Sequence, residues 1–215
     1  MSVDVKICGI STPEAMDAAV QAGAAFIGLN FYPPSPRAVT PGDAAVLAAR
    51  VPEGIVKTGL LVDADDATIE AILKEVPLDL LQLHGSETPE RVAAVKARFG
   101  LPVMKVVKLR QAGDLEAAEP FLAVADRLLF DAKPPAEMKE ALPGGNALAF
   151  DWSILKGRTW PLPWMLAGGL TSENMAEAVA TTAAPALDVA SGVEDAPGEK
   201  NPEKIRVFLA AAKAL

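Results

Sequence analysis

Cysteine, histidine, basic clusters and long apolar runs are what this chain has least of. Its 215 residues include one cysteine and one histidine, so no internal disulfide can form and no Cys/His zinc set can be assembled. No structural metal is expected. No apolar run approaches the roughly 18 residues that span a bilayer. The N-terminal residues lack a basic segment followed by an apolar core and a cleavage site. A soluble, cytoplasmic protein with no membrane partner is the expectation. The formal net charge is -8 and lysine and arginine are scattered, which argues against nucleic acid or an anionic membrane as a partner. An anionic ligand would have to be held by local groups against that field.

What is there is apolar sequence in short, regularly spaced pieces. Hydrophobic residues make up 51% of the chain, enough for a sizeable core and against any long disordered region. Val3 to Cys8 alternates, with Val3, Val5 and Ile7 on one face and Asp4, Lys6 and Cys8 on the other. Ser11 or Thr12 caps a helix that has Pro13 in its first turn and ends at Gly23. Phe26 to Phe31 is a second strand, followed by Tyr32-Pro-Pro-Ser-Pro-Arg37, where three prolines stiffen the loop that carries Arg37.

The pattern then repeats. Thr40-Pro41 opens a helix to Arg50, Ile55 to Val62 is the third strand, and Asp63 or Asp65 caps a helix ending near Val76. Leu80 to His84 is a strand, Thr88-Pro89 opens a helix closed by Gly100, and Val103 to Val107 is a strand. Asp114 to Val124 reads as a helix and Arg127 to Asp131 as the sixth strand. Pro134 to Ala149 breaks the rhythm as a long connection, a type that is usually functional or mobile. Met165 to Ala167, a helix from Ser172 to Thr181, Leu187 to Ala190 and a helix from Pro202 complete the series.

Eight strands alternating with helices predict a compact, single-domain (β/α)8 barrel over residues 1–215, with a parallel eight-stranded sheet. A doubly wound sheet would call for Gly-x-Gly-x-x-Gly after the first strand, and Cys8-Gly9-Ile10-Ser11 does not supply it.

In such barrels the chemistry sits at the C-terminal ends of the strands. The polar residues there are Cys8, Asn30, Asp63, His84, Asp131, Asp188 and the glycine turns Gly168-Gly169 and Ser191-Gly192. Those two turns follow strands seven and eight, where backbone N–H groups of this fold often hold phosphate. Cys8 is either a small buried hydrophobe or a base, and an ammonium from Lys6 on the same face would favour its thiolate. Lys6 has the alternative of pairing with Asp4 near the barrel floor. Asp131 can act as an acid or cap the segment after it. His84 can move a proton, orient a substrate or serve structure. Asp188 is a carboxylate too costly to bury without a purpose. Arg37 is either solvated or a planar reader of a carboxylate.

Seven stretches in series resemble the phosphoribosylanthranilate isomerase family of tryptophan biosynthesis. They are Lys6-Ile7-Cys8-Gly9-Ile10, Phe31-Tyr32-Pro33 with Ser35-Pro36-Arg37, Gln82-Leu83-His84-Gly85, Asp131-Ala132-Lys133, Phe150-Asp151-Trp152, Ala167-Gly168-Gly169-Leu170 and Asp188 to Glu194. The resemblance implies an Amadori rearrangement of a phosphorylated aminoaldose without a cofactor. It implies Asp131 as general acid, Cys8 as general base, and Arg37 near the anthranilate carboxylate. It also implies Lys6, His84 and Asp188 as substrate-binding residues beside Arg37, and Gly168, Gly169, Ala190, Ser191 and Gly192 as the phosphate site. Residues 135 to 148 would cover the sugar, with Gly144-Gly145 as flexible points. A monomer or homodimer is expected. The competing readings are a class I aldolase using Lys6 or Lys105 through a Schiff base, and a barrel that binds a phosphometabolite without turnover.

Overall fold

The short apolar runs form strands β1 (Asp4–Cys8), β2 (Phe26–Asn30), β3 (Val56–Leu61), β4 (Leu80–Leu83), β5 (Val103–Leu109), β6 (Arg127–Ala132), β7 (Trp164–Leu166) and β8 (Ala186–Val189). They pair in chain order, all parallel, and β8 returns to β1 to close the barrel. The structure is a computed structural model that describes residues 3–135, 144–145 and 148–215. Helices α1 (Pro13–Gln21), α2 (Pro41–Ala48), α3 (Asp66–Glu75), α4 (Pro89–Phe99), α5 (Met175–Thr182) and α6 (Pro202–Lys213) lie outside. Among the described residues no helix is long and apolar enough to cross a membrane.

Most helix starts arise from local chemistry. The side chains of Thr12, Thr40, Asp65 and Thr88 each accept the backbone N–H three residues on, and proline comes directly after Thr12, Thr40 and Thr88. Gly100 ends α4 in the left-handed region at φ 67°.

Two expectations are corrected and one ribbon is added. The segment read as a helix from Asp114 is a 3-10 stretch over Ala112–Phe121, with Pro120 inside it; proline has no N–H for the helical ladder. Helix α5 begins at Met175, because the Asn174 side chain folds back to accept from Thr171 N at 2.8 Å and holds the preceding residues in a turn. After β8 the chain makes a 3-10 turn, Ser191–Val193, and an unanticipated ribbon of β9 (Glu194–Ala196) and β10 (Glu199–Lys200).

Alternation along the strands creates two cores. Ile7, Ile27, Leu81, Leu128 and Leu187 face outward and pack with helix residues such as Met16, Ile69, Val92 and Phe208. Phe26, Leu80, Met104, Leu129, Met165 and Ala186 fill the barrel itself. Lys6, Cys8, Asn30, Gln82, Asp131 and Asp188, all buried, make the interior polar toward the strand C-termini. The apolar plug below confines polar chemistry to that end.

Candidate active site

The floor of the cleft is built by register. Lys6 lies beside Asp188 on the neighbouring strand, and its Nζ donates to Asp188 Oδ1 at 2.8 Å with no exposure of the lysine. The Lys6–Asp4 pairing expected as one alternative is therefore corrected: Asp4 is exposed at the start of β1. Burial works against the Lys6 ammonium, but Asp188 and then Cys8 outweigh it, and its pKa is raised. Cys8 sits one step up the same face. Burial, reinforced by the Asp188 carboxylate, pushes its thiol up despite the opposing Lys6 and Lys200 cations. Lys6 favours the thiolate as expected, but burial and then Asp188 outweigh it, so the net shift is upward.

Across the barrel, Asp131 is the penultimate residue of β6. Its Oδ1 accepts from Ala132 N at 2.8 Å, and Oδ2 stands 3.2 Å from His84 Nε2. That approach lies off a hydrogen-bond direction, and His84 Nε2 is without a hydrogen-bond partner among the described residues. The Gln82 side-chain amide lies against the other ring nitrogen, its Nε2 standing 3.2 Å from His84 Nδ1. Gly144 packs directly over the pair, since a Cβ there would lie 2.5 Å from His84 Cε1 and 2.9 Å from Asp131 Oδ2.

Arg37 enters from the proline loop. Asn30 Oδ1 accepts from Tyr32 N at 2.8 Å and its Nδ2 donates to Ser35 Oγ at 3.1 Å, which ties the loop to β2. The arginine stem crosses Gly9, at φ 75°, where a Cβ would lie 2.6 Å from Arg37 Cδ. Its Nε and Nη2 donate to Glu194 Oε1 and Oε2, both at 2.8 Å, and Nη2 also reaches Gly145 O at 3.2 Å. Lys200 donates to the same carboxylate. Burial opposes the charge on Glu194, yet Arg37 and Lys200 hold its carboxyl below the usual range.

Two loops close the remaining side. Gly168 and Gly169 have φ of 88° and 64°, a sharp turn after β7. Asn174 Nδ2 donates to Gly169 O at 2.9 Å and anchors that turn. Ala190 and Ser191 line the cleft from β8, while Gly192 stands behind them with Leu170 O only 1.9 Å from where a Cβ would be. Gly192→Ala should therefore push the two loops apart. Destabilisation of about 1–3 kcal/mol is expected from the overlap, together with a raised KM for a phosphorylated substrate, measured by denaturant titration and initial rates.

Cys8, Asp131, Arg37, His84, Asp188, Gly168, Gly169, Ala190 and Ser191 thus line one cleft. Lys6 and Gly192 do not; they lie beneath and behind it. The expected cover over residues 135–148 falls largely outside the described residues, although Gly144, Gly145 and Leu148 do line the cleft. Among the described residues no group of three or more His, Cys, Asp or Glu could hold a metal. Neither lysine of the aldolase reading suits a Schiff base, which needs a neutral amine at the cleft. Lys6 is paired and its charge favoured, and Lys105 is turned outward to Glu87 at 2.6 Å and Gly85 O at 2.9 Å.

Four residues of the site carry no usable signal in the sequence. Gln82 and Glu194 stand inside family-like motifs without an evident role, and Asn174 and Lys200 belong to no motif. Glu194 meets Arg37 across 157 residues of chain, a pairing that no local pattern announces.

The family model described as N-(5'phosphoribosyl)anthranilate (PRA) isomerase matches residues 5–211. A protein of Paramagnetospirillum magneticum named N-(5'-phosphoribosyl)anthranilate isomerase is 62% identical over 213 residues, covering 99% of this chain and 98% of that one. A crystal structure of phosphoribosyl anthranilate isomerase from Thermotoga maritima superposes with TM-score 0.86 at 32% identity, covering 99% and 100% of the two chains. A structure of the same enzyme type with reduced 1-(o-carboxyphenylamino)-1-deoxyribulose 5-phosphate gives TM-score 0.84 at 31% identity, again covering 99% and 100%.

Proposed function

The chain belongs to the N-(5'-phosphoribosyl)anthranilate isomerase family, and from that premise we propose how the residues of its cleft divide the work. The protein is an isomerase of tryptophan biosynthesis that converts N-(5'-phosphoribosyl)anthranilate to 1-(2-carboxyphenylamino)-1-deoxyribulose 5-phosphate. The observation that carries the assignment of roles is the placement of Cys8 and Asp131 on opposite walls of one cleft, with the glycine loops of β7 and β8 beside them.

Asp131 gives its proton to the furanose ring oxygen as the C1'–O bond breaks and the nitrogen lone pair forms a Schiff base. Cys8 then takes the C2' proton, and the electron pair moves to the nitrogen to give the enolamine. Protonation at C1' with loss of the C2' hydroxyl proton yields the ketone, so the atoms balance without a cofactor. The raised thiol pKa fits this order. Ring opening creates a cation one bond from C2', and a positive charge there favours the thiolate when it is needed.

The phosphate is held by backbone N–H groups of Gly168, Gly169, Ala190 and Ser191, with Gly192 allowing the two loops to approach. His84 lines the cleft beside Asp131 and contacts the substrate there, and Lys6 fixes the orientation of Asp188. Arg37 reads the anthranilate carboxylate. Arg37→Ala should raise KM by about 10- to 100-fold, the worth of a charge-assisted contact, with a much smaller change in kcat. An unchanged rate at low substrate concentration removes Arg37 from binding.

Freshly prepared phosphoribosylanthranilate tests the reaction through loss of its fluorescence, with product confirmed by mass. Catalytic decay is expected; binding without decay would leave a phosphometabolite-binding barrel. A cytoplasmic monomer or homodimer is the setting we propose, and sedimentation distinguishes the two assemblies.

A further inference from the structure

We infer that the β9–β10 ribbon is part of the active site, with Glu194 the positioning residue that decides which edge of Arg37 meets the aryl carboxylate. This rests on the assignment of Arg37 to that carboxylate. A guanidinium has five N–H donors in a planar fork. Glu194 takes the Nε edge with two contacts of 2.8 Å, and Gly145 O accepts from Nη2 at 3.2 Å. Nη1 is the nitrogen that Glu194 and Gly145 O leave. A Cβ on residue 145 would lie 2.5 Å from Nη1, so only glycine there leaves room beside that nitrogen, on a side chain that lines the cleft. An incoming carboxylate accordingly meets the end of the fork at Nη1, not the side occupied by Glu194.

Glu194 is itself held from several directions. Lys200 Nζ donates to its Oε1, and Lys204 Nζ donates to its backbone carbonyl at 2.7 Å. The ribbon turn lies on the proline loop, since a Cβ at Gly198 would sit 2.4 Å from Pro36 O. The ribbon therefore grips both the guanidinium and the loop that carries it. Arg37, Lys200 and Glu194 are all buried and their formal charges sum to +1, although burial lowers the Lys200 pKa against the pull of Glu194. That surplus attracts an anion locally in a protein whose overall charge is -8.

The test compares two stable ligands, the reduced product with its 2-carboxyphenylamino group and its phenylamino counterpart lacking the carboxylate. The ratio of their dissociation constants isolates carboxylate reading from phosphate and sugar binding. In Glu194→Gln the amide turns a donor toward Arg37 and Lys200. The ratio should fall about tenfold, as for one misdirected charge-assisted hydrogen bond, with the phenylamino ligand bound as in the wild type. An unchanged ratio, or equal weakening of both ligands, overturns the inference. Should Glu194→Gln fail to fold, Gly145→Ala reports instead, because its Cβ crowds Nη1; the same fall is expected, and an intact ratio is again fatal. Arg37→Ala separates the two assignments. If it leaves the ratio intact, the pairing of Arg37 with the carboxylate itself fails; if it abolishes the ratio while Glu194→Gln and Gly145→Ala do not, only the role of the ribbon fails.

Discussion

Cys8→Ala is expected to lower kcat about 1,000-fold, within the roughly 10²–10⁴-fold range of a positioned general base, while KM and the melting temperature change little. The side chain is small and makes no ion pair, so its removal leaves the Lys6–Asp188 contact in place. Initial rates by fluorescence decay, beside a thermal melt, measure both. A variant within about tenfold of wild-type kcat would mean that another group takes the C2' proton. The protonation state has its own check. Because burial raises the thiol pKa, alkylation of Cys8 by iodoacetamide in the empty enzyme should stay slow at neutral pH. It should accelerate only above the ordinary thiol range.

Lys6→Met should be strongly destabilising. It removes the cation from a wholly buried pair and leaves Asp188, itself only 8% exposed, without its partner at the cleft floor. Breaking such a pair costs about 3–5 kcal/mol, which for a chain of this length corresponds to a fall in Tm of roughly 6–20 °C. The loss should be nearly constant from neutral pH to about pH 9. A raised lysine pKa means that the pairing is fully present below the ordinary lysine value and is lost only as pH climbs past the folded one. Adding Asp188→Asn removes the orphaned charge and should recover part of the loss. A double variant no more stable than Lys6→Met would show that the pair is not what the single change broke.

The parts of the fold that rest on near neighbours were legible. Thr40-Pro41 and Thr88-Pro89 start helices because a capping oxygen and a fixed φ act within one turn. The strands were legible because apolar runs of their length, separated by helices, bury both faces in a parallel sheet. Where a distant or sideways partner intervenes, the reading slipped. Asn174 spends its side chain on Thr171 and Gly169, which delays α5. Pro120 tightens a helical segment that hydrophobic spacing alone would have made regular.

The (β/α)8 barrel follows from the order of residues along the chain, as do the strand ends at which Cys8, Arg37, His84, Asp131 and Asp188 gather around one cleft. Period-two alternation and strand-terminal position are properties of the chain read in order. Only the tertiary structure decided who neutralises whom. Lys6 pairs with Asp188 because barrel closure lays β8 beside β1, and Arg37 pairs with Glu194 because the ribbon folds onto the proline loop. The protonation of Cys8 has the same cause. A thiol's pKa depends on the burial and charge around it, and both are set by strands far apart in the chain.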